Sequence, residues 1–394
     1  MSHRAGAEFF RQKLEWSCRK DQILATYLKR YLPTLAHRLR STRAKVQGIT
    51  VVDGFAGPGT FQSGEDGSPL IICKAVVQAD DVVQQTTRVL CIERSTELAG
   101  QLEQSLRPYR FAEAKAAKFQ AMVDELVGLA ARSNLLLYLD PFTVDGLQWK
   151  SLDKLFAALQ QGISIEVLLN FNAAIFLRAG LAALQLKVPM PNPEDEDPEG
   201  CEPFTSDGES PAIARLDEVA GGDWWQTIAK NEVIDFATKV DVLTRRYCEQ
   251  LRSRFAEVCS HAVFAKVAHN VPKYALVFGS RSPTALLYMN DAMVGARDTF
   301  AEASRPEDPP LFELLPEALV PDDSKLPEMI VRIVDRRMTR ERATQSFVRA
   351  HFGRNTVSQI HRCIRELLRR KTLLTSARTI AIGDSAEIWP AGRP

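Results

Sequence analysis

Between Val51 and Phe61 the chain reads Val-Val-Asp-Gly-Phe-Ala-Gly-Pro-Gly-Thr-Phe. β-Branched residues lead into an acid, and Gly54, Gly57 and Gly59 then free the backbone to turn tightly and approach a ligand closely. This is a strand that feeds a ligand loop. The glycines run G-x-x-G-x-G with Pro58 between the last two, which excludes the G-x-G-x-x-G dinucleotide fingerprint.

Beyond the loop the chain alternates as an α/β sheet requires. Strands are expected at 49–53, 88–93, 114–119, 135–140 and 163–170, with helices at 8–40 (interrupted at Pro33), 71–76, 98–106, 122–131 and 152–159. Residues 135–140, Leu-Leu-Leu-Tyr-Leu-Asp, form the kind of continuous apolar run that is buried on both faces of a parallel sheet. Alternation at this pitch predicts a doubly wound sheet, which binds ligands at the carboxyl ends of its strands. Asp53, Glu93, Asp140 and Asn170 all fall at such ends. A long helix over 225–256, two late strands at 262–268 and 274–279, and a helix over 284–300 complete the first domain, 1–303.

Charge is distributed unevenly. From Pro191 to Asp223 there are 11 acidic residues and one basic, so 187–223 reads as a solvated acidic insertion. From Met329 to Ile380 there are 13 basic and three acidic residues, a net +10 in a chain whose total is +1. A Pro-rich linker, 304–326, precedes this basic end. Helices at 327–337, 340–352 and 356–370, a turn at Gly353 and a hairpin at 372–382 outline a winged helix-turn-helix over 327–394. Arg354, Asn355, Gln359, Arg362, Arg365 and Arg369 lie on or beside its third helix, where phosphate and base contacts are made, and nucleic acid is the expected partner.

Other classes are disfavoured. No apolar run of eighteen or more residues occurs and the first ten residues lack a signal-peptide core, so no membrane span and a cytoplasmic location are expected. The seven cysteines are scattered without C-x-x-C pairs or zinc spacing, so no metal site is expected. No Pro-Cys dipeptide is present, which disfavours cytosine-C5 chemistry through a cysteine nucleophile.

The loop resembles motif I of the S-adenosylmethionine methyltransferases in its D-x-F-A-G-x-G form, which implies that Asp53, Gly54, Phe55, Ala56, Gly57 and Gly59 surround the amino-acid part of that cofactor. Glu93 would accept hydrogen bonds from the ribose hydroxyls. After the third strand the family places an acid and an aromatic around the adenine; Lys118-Phe119 stand here, and Phe119 would pack on the ring. Asp140-Pro141-Phe142 resembles the fourth motif of amino-methyltransferases, in which a carboxylate accepts hydrogen bonds from the attacking amine and an aromatic stacks on a base. Asn170, with Phe171, would complete that pocket.

Several motifs in one order are similar to a particular group. Asp53 to Gly59, Gly67-Ser68-Pro69-Leu70, Leu139-Asp140-Pro141-Phe142 with Gly146-Leu147, Leu168-Leu169-Asn170-Phe171, Trp224-Trp225 and Tyr274 to Gly279 resemble the three-Cys-motif partner (TcmP) family. The resemblance implies a bacterial protein with a Rossmann-like methyltransferase sheet. It also implies a separate partner that carries a three-cysteine motif and looks like a radical S-adenosylmethionine type of protein. Gly54 replaces the hydrophobic residue that the family has after its motif-I acid. Three functions are therefore expected as alternatives: methylation of an amino group in DNA or RNA, a non-catalytic DNA-binding subunit of a partner system such as phage defence, or modification of a protein or peptide alongside a radical enzyme.

Overall fold

The computed structural model describes residues 15–40, 48–158, 165–189, 211–264, 271–303 and 321–392. Its compact units divide between Arg281 and Ser282.

The first unit is built on one sheet. In chain order its elements are α1 (Glu15–Leu39), β1 (Gly48–Asp53), α2 (Ser68–Val77), α3 (Asp81–Thr86), β2 (Thr87–Glu93), α4 (Thr96–Leu106), β3 (Ala112–Ala116), α5 (Val123–Ala130), β4 (Ser133–Leu139), α6 (Trp149–Ala157), β5 (Ile165–Phe171), α7 (Ala173–Ala183), α8 (Ala212–Ala220), α9 (Trp224–Lys230), α10 (Phe236–Leu251), β6 (Glu257–Val263) and β7 (Tyr274–Ser280). The seven strands lie in the order β3-β2-β1-β4-β5-β7-β6. The first five are parallel, and β7 runs antiparallel between β5 and β6. Every residue of β4 is buried, as its leucine run predicts for a strand covered on both faces. Each such leucine contributes about 2 kcal/mol by leaving water.

Several expectations shift. Helix α1 passes through Pro33 to Leu39, because Tyr31, Leu32, Leu35 and Ala36 on either side of the proline are buried and hold the helix against a penalty of about 3 kcal/mol. The long helix expected over 225–256 is two. Asn231 accepts from the Val233 N–H at 2.9 Å and Asp235 caps α10 through the Thr238 N–H at 2.7 Å, so local side-chain bonds replace the helical ladder there. The acidic insertion is not wholly solvated: α8 lies inside it and buries Leu216, Val219 and Ala220. Its residues 190–210, residues 8–14 of the first expected helix and most of the linker, 304–320, lie outside the described residues.

The second unit begins with α11 (Pro283–Ala303), which was expected in the first domain. It continues with α12 (Leu326–Ile333), β8 (Met338–Thr339), α13 (Arg340–Ala350), α14 (Val357–Arg369), β9 (Leu373–Thr375) and β10 (Glu387–Pro390). The strands form an antiparallel sheet in the order β8-β10-β9. Thr339 caps α13, and Thr356 with Gln359 forms a capping box on α14. The turn between α13 and α14 is held by α11. Asn290 donates to the Asn355 carbonyl and accepts from the Gly353 N–H, both at 2.9 Å, and Arg297 donates to the Gly353 and Arg354 carbonyls at 2.7 Å. Those bonds explain why α11 belongs with this unit. No helix among the described residues is long and apolar enough to cross a membrane.

Candidate functional site

Four neighbouring strands, β2, β1, β4 and β5, end on one edge of the sheet and deliver Glu93, Asp53, Asp140 and Asn170 to it. The glycine loop rises from this edge in a form that needs glycine. Gly57 has φ 60° and Gly59 φ 82°, the left-handed region that side chains disfavour. The loop is closed on itself by the Gly67 N–H, which donates to the Gly59 carbonyl at 2.8 Å.

Much of the loop's donor capacity is already used. The Gly54 N–H donates to the Tyr138 carbonyl and the Ala56 N–H to the Ile92 carbonyl, both at 2.9 Å. The Phe55 N–H reaches Asp53 Oδ1 at 3.2 Å and the Gly57 N–H reaches Glu93 Oε2 at 3.0 Å. A ligand here would therefore meet the loop chiefly through close backbone contact. Glu93 also accepts from the Ser95 N–H at 2.7 Å. Burial raises its pKa, with the Ser95 and Gly57 N–H groups pulling the other way.

Asp53 is fully buried. Burial pushes its carboxyl up to about 7, against the pull of the nearby Ser68 hydroxyl and the Phe55 N–H, and the Asp140 and Asp21 charges add to the rise. Its Oδ2 makes no hydrogen bond of ordinary geometry among the described residues. Burial of the negative charge outweighs what the Ser68 hydroxyl and the Phe55 N–H supply. A cationic group of a ligand would satisfy the carboxylate.

Asp140 is placed differently. Its Oδ1 accepts from Asn170 Nδ2 at 2.8 Å, and its Oδ2 accepts from Lys20 Nζ at 2.5 Å and from the Tyr138 hydroxyl at 3.3 Å. The Lys20 ammonium also lies 5.1 Å from the centre of the Tyr274 ring. Because β7 is antiparallel, its first residue, Tyr274, arrives at the edge where the parallel strands end. Asn170 Oδ1 is buried without a partner among the described residues. The sequence does not single out Lys20, Tyr138 or Tyr274 as site residues. The detectable signal was Lys20 itself, a lysine on the stripe of α1 that carries Ile23, Leu24, Tyr27 and Tyr31.

The aromatics are packed. Phe119 is buried, with its ring 5.7 Å from that of Phe55. A Cβ at Gly54 would come within 2.6 Å of Leu139 Cδ2 and 3.0 Å of Phe119 Cδ2, so Leu139 and Phe119 fill the volume that a side chain at 54 would occupy. Phe119 thus belongs to the core as well as to the site's wall, and Lys118 beside it is exposed. Pro141 is buried and Phe142 half-buried. The turn after them is anchored to α8 by a buried ion pair of Asp145 with Arg215.

In the second unit the expected recognition residues separate. Arg362 and Arg369 are exposed on α14, and Arg354 and Arg365 are half-buried. Asn355 and Gln359 are corrected: Asn355 is buried and donates to Asp323 Oδ1 at 2.8 Å, and Gln359 is held in the helix cap. Neither is presented for base contact.

No protein-family model matches the chain, and no curated protein matches it. Among solved structures the chain is similar to protein LPL1258 from Legionella pneumophila str. Philadelphia 1, titled with family-model DUF519, at 10% identity and TM-score 0.35, covering 67% of this chain and 85% of that one. It is also similar to a Zn-dependent alcohol dehydrogenase, so titled by inference, from Rhodobacter sphaeroides at 13% identity and TM-score 0.25, covering 63% and 88%. At these scores neither bears on ligand or reaction.

Proposed function

We propose that the chain is an S-adenosylmethionine-dependent methyltransferase that acts on an amino group, with nucleic acid as the substrate class. The observation that carries this reading is the fully buried carboxyl of Asp53 at the foot of a left-handed glycine loop, one strand from Glu93 and one from Asp140. The residues fit the cofactor: Asp53 would face its ammonium, Glu93 its ribose hydroxyls, and the Gly57 and Gly59 backbone would approach it closely. When bound, it supplies an electrophilic methyl on sulfur. The late antiparallel strand between β5 and β6 supports a Rossmann-like methyltransferase sheet, and the ordered motifs support the TcmP family with its three-cysteine-motif partner. In the reaction, Asp140 accepts hydrogen bonds from the attacking amine, Asn170 fixes its carboxylate, and Pro141 and Phe142 shape the wall beside it.

For the second unit we read three helices and a small antiparallel sheet as a winged helix that presents Arg362 and Arg369 to phosphates. One observation favours a non-catalytic alternative, a DNA-binding subunit of a partner system: three protein donors already converge on Asp140. Calorimetric titration with S-adenosylhomocysteine tests the shared premise. Binding is expected in the wild type and a loss of tenfold or more, about 1.4 kcal/mol, in Glu93→Ala. A wild-type chain that binds nothing ends the methyltransferase reading, and labelled methyl transfer to nucleic acid that disappears in Asp140→Ala ends the non-catalytic one.

A further inference from the structure

Lys20 is a primary amine held against the carboxylate that the proposed reaction assigns to the acceptor amine. Its side chain is 10% exposed, its Nζ lies 2.5 Å from Asp140 Oδ2, and the Tyr274 ring stands beside it. Lysine is seldom buried to this extent. An ion pair partly removed from water is also a weak reason for stability, because the cost of desolvating its charges offsets their attraction. The pair is therefore poorly accounted for as scaffold, and its chemistry is that of a nucleophile beside its proton acceptor.

We propose that Lys20 occupies the acceptor-amine position of the site and is a methyl-accepting residue of this same chain; the proposal rests on the methyltransferase reading above. In the step, Asp140 takes a proton from the Lys20 ammonium. The freed nitrogen lone pair forms an N–C bond to the sulfonium methyl of S-adenosylmethionine as the S–C bond breaks, and that bond's electron pair returns to sulfur. The products are Nε-methyl-lysine and the neutral thioether, and the proton passes from Asp140 to solvent. Asn170 and Tyr138 keep the carboxylate oriented throughout. An external amine entering the same position has to displace Lys20 first.

Three measurements on the full chain test this. Without cofactor, acylation of amines read by peptide mass spectrometry is expected to spare Lys20 under conditions that saturate Lys29, which is exposed on the same helix. Asp140→Asn is expected to remove that protection. Incubation with S-adenosylmethionine is then expected to add a methyl to the peptide that contains Lys20, and Lys20→Arg to lose the mark while still titrating with S-adenosylhomocysteine. Acylation of Lys20 as fast as Lys29 overturns the proposed occupancy. A chain that binds S-adenosylhomocysteine yet leaves Lys20 unmarked overturns methyl acceptance alone, and a chain that binds none overturns both this proposal and the reading beneath it.

Discussion

Asp53 links the stability of the first unit to its proposed ligand. Its folded pKa, pushed up to about 7 by burial, exceeds the unfolded value of about 3.9. Between those values the folded chain holds a proton that the unfolded chain has lost, so stability falls as pH rises, by up to about 1.4 kcal/mol per unit. Above the folded value this dependence ends. Asp53→Asn removes the buried charge and is expected to stabilise the chain at pH 8 by about 1–3 kcal/mol while flattening the slope below neutrality, as read by urea unfolding at several pH values. The same substitution is expected to abolish the rise in S-adenosylhomocysteine affinity through pH 7 that ionisation of Asp53 produces in the wild type. A variant less stable at pH 8 than the wild type would contradict this account. The acid and its glycines could be read in the sequence because a strand end followed by G-x-x-G-x-G has few structural uses. The tight packing of Gly54 against Leu139 and Phe119 could not, since it depends on residues 65 and more positions away.

At the scale of elements, α1 is fastened to the sheet by polar bonds that its amphipathic pattern does not reveal. The Tyr27 hydroxyl donates to Glu166 Oε2 near the start of β5, and Ser280 at the end of β7 donates to the other oxygen at 3.3 Å. Burial raises the Glu166 carboxyl to about 7, and both hydroxyls pull it down. Tyr27→Phe withdraws one donor from a buried acid and is expected to cost about 1–3 kcal/mol. The missing donor lets the folded pKa rise further, so the loss is larger at pH 8, where Glu166 is ionised, than at pH 6. Equal losses at the two values would show that the hydroxyl does not serve the carboxylate. Strands β1, β2, β4 and β5 were legible because apolar runs ending in Asp, Glu or Asn mark both burial and the functional edge. The break between α9 and α10 and the buried stripe of α8 were not, because capping bonds and an acidic surrounding outweigh the helical period there. Lys20 shows the same limit: its partner Asp140 is 120 residues away, and only the sheet order brings α1 to that strand end.

Across the whole molecule, a net charge of +1 is the sum of opposed regions, an acidic stretch within the first unit and a net +10 from Met329 to Ile380. Lysine and arginine contacts to phosphate release counterions, so binding carried by them weakens steeply with salt. The proposed cofactor site is of another kind: Asp53 is buried and Glu93 half-buried, and groups removed from solvent are screened far less. The two activities therefore ought to separate by both mutation and salt. Replacing Arg362 and Arg369 together by alanine is expected to weaken binding to duplex or single-stranded DNA across all sequences and to flatten the dependence of log K on log salt by about one unit for each phosphate no longer neutralised. Because both arginines are exposed on α14 of the second unit and Asp53 and Glu93 stand in the first, calorimetric affinity for S-adenosylhomocysteine is expected to be the same in this variant as in the wild type. If the double variant keeps the wild-type salt slope, Arg362 and Arg369 are not phosphate contacts and α14 is not the phosphate-binding helix.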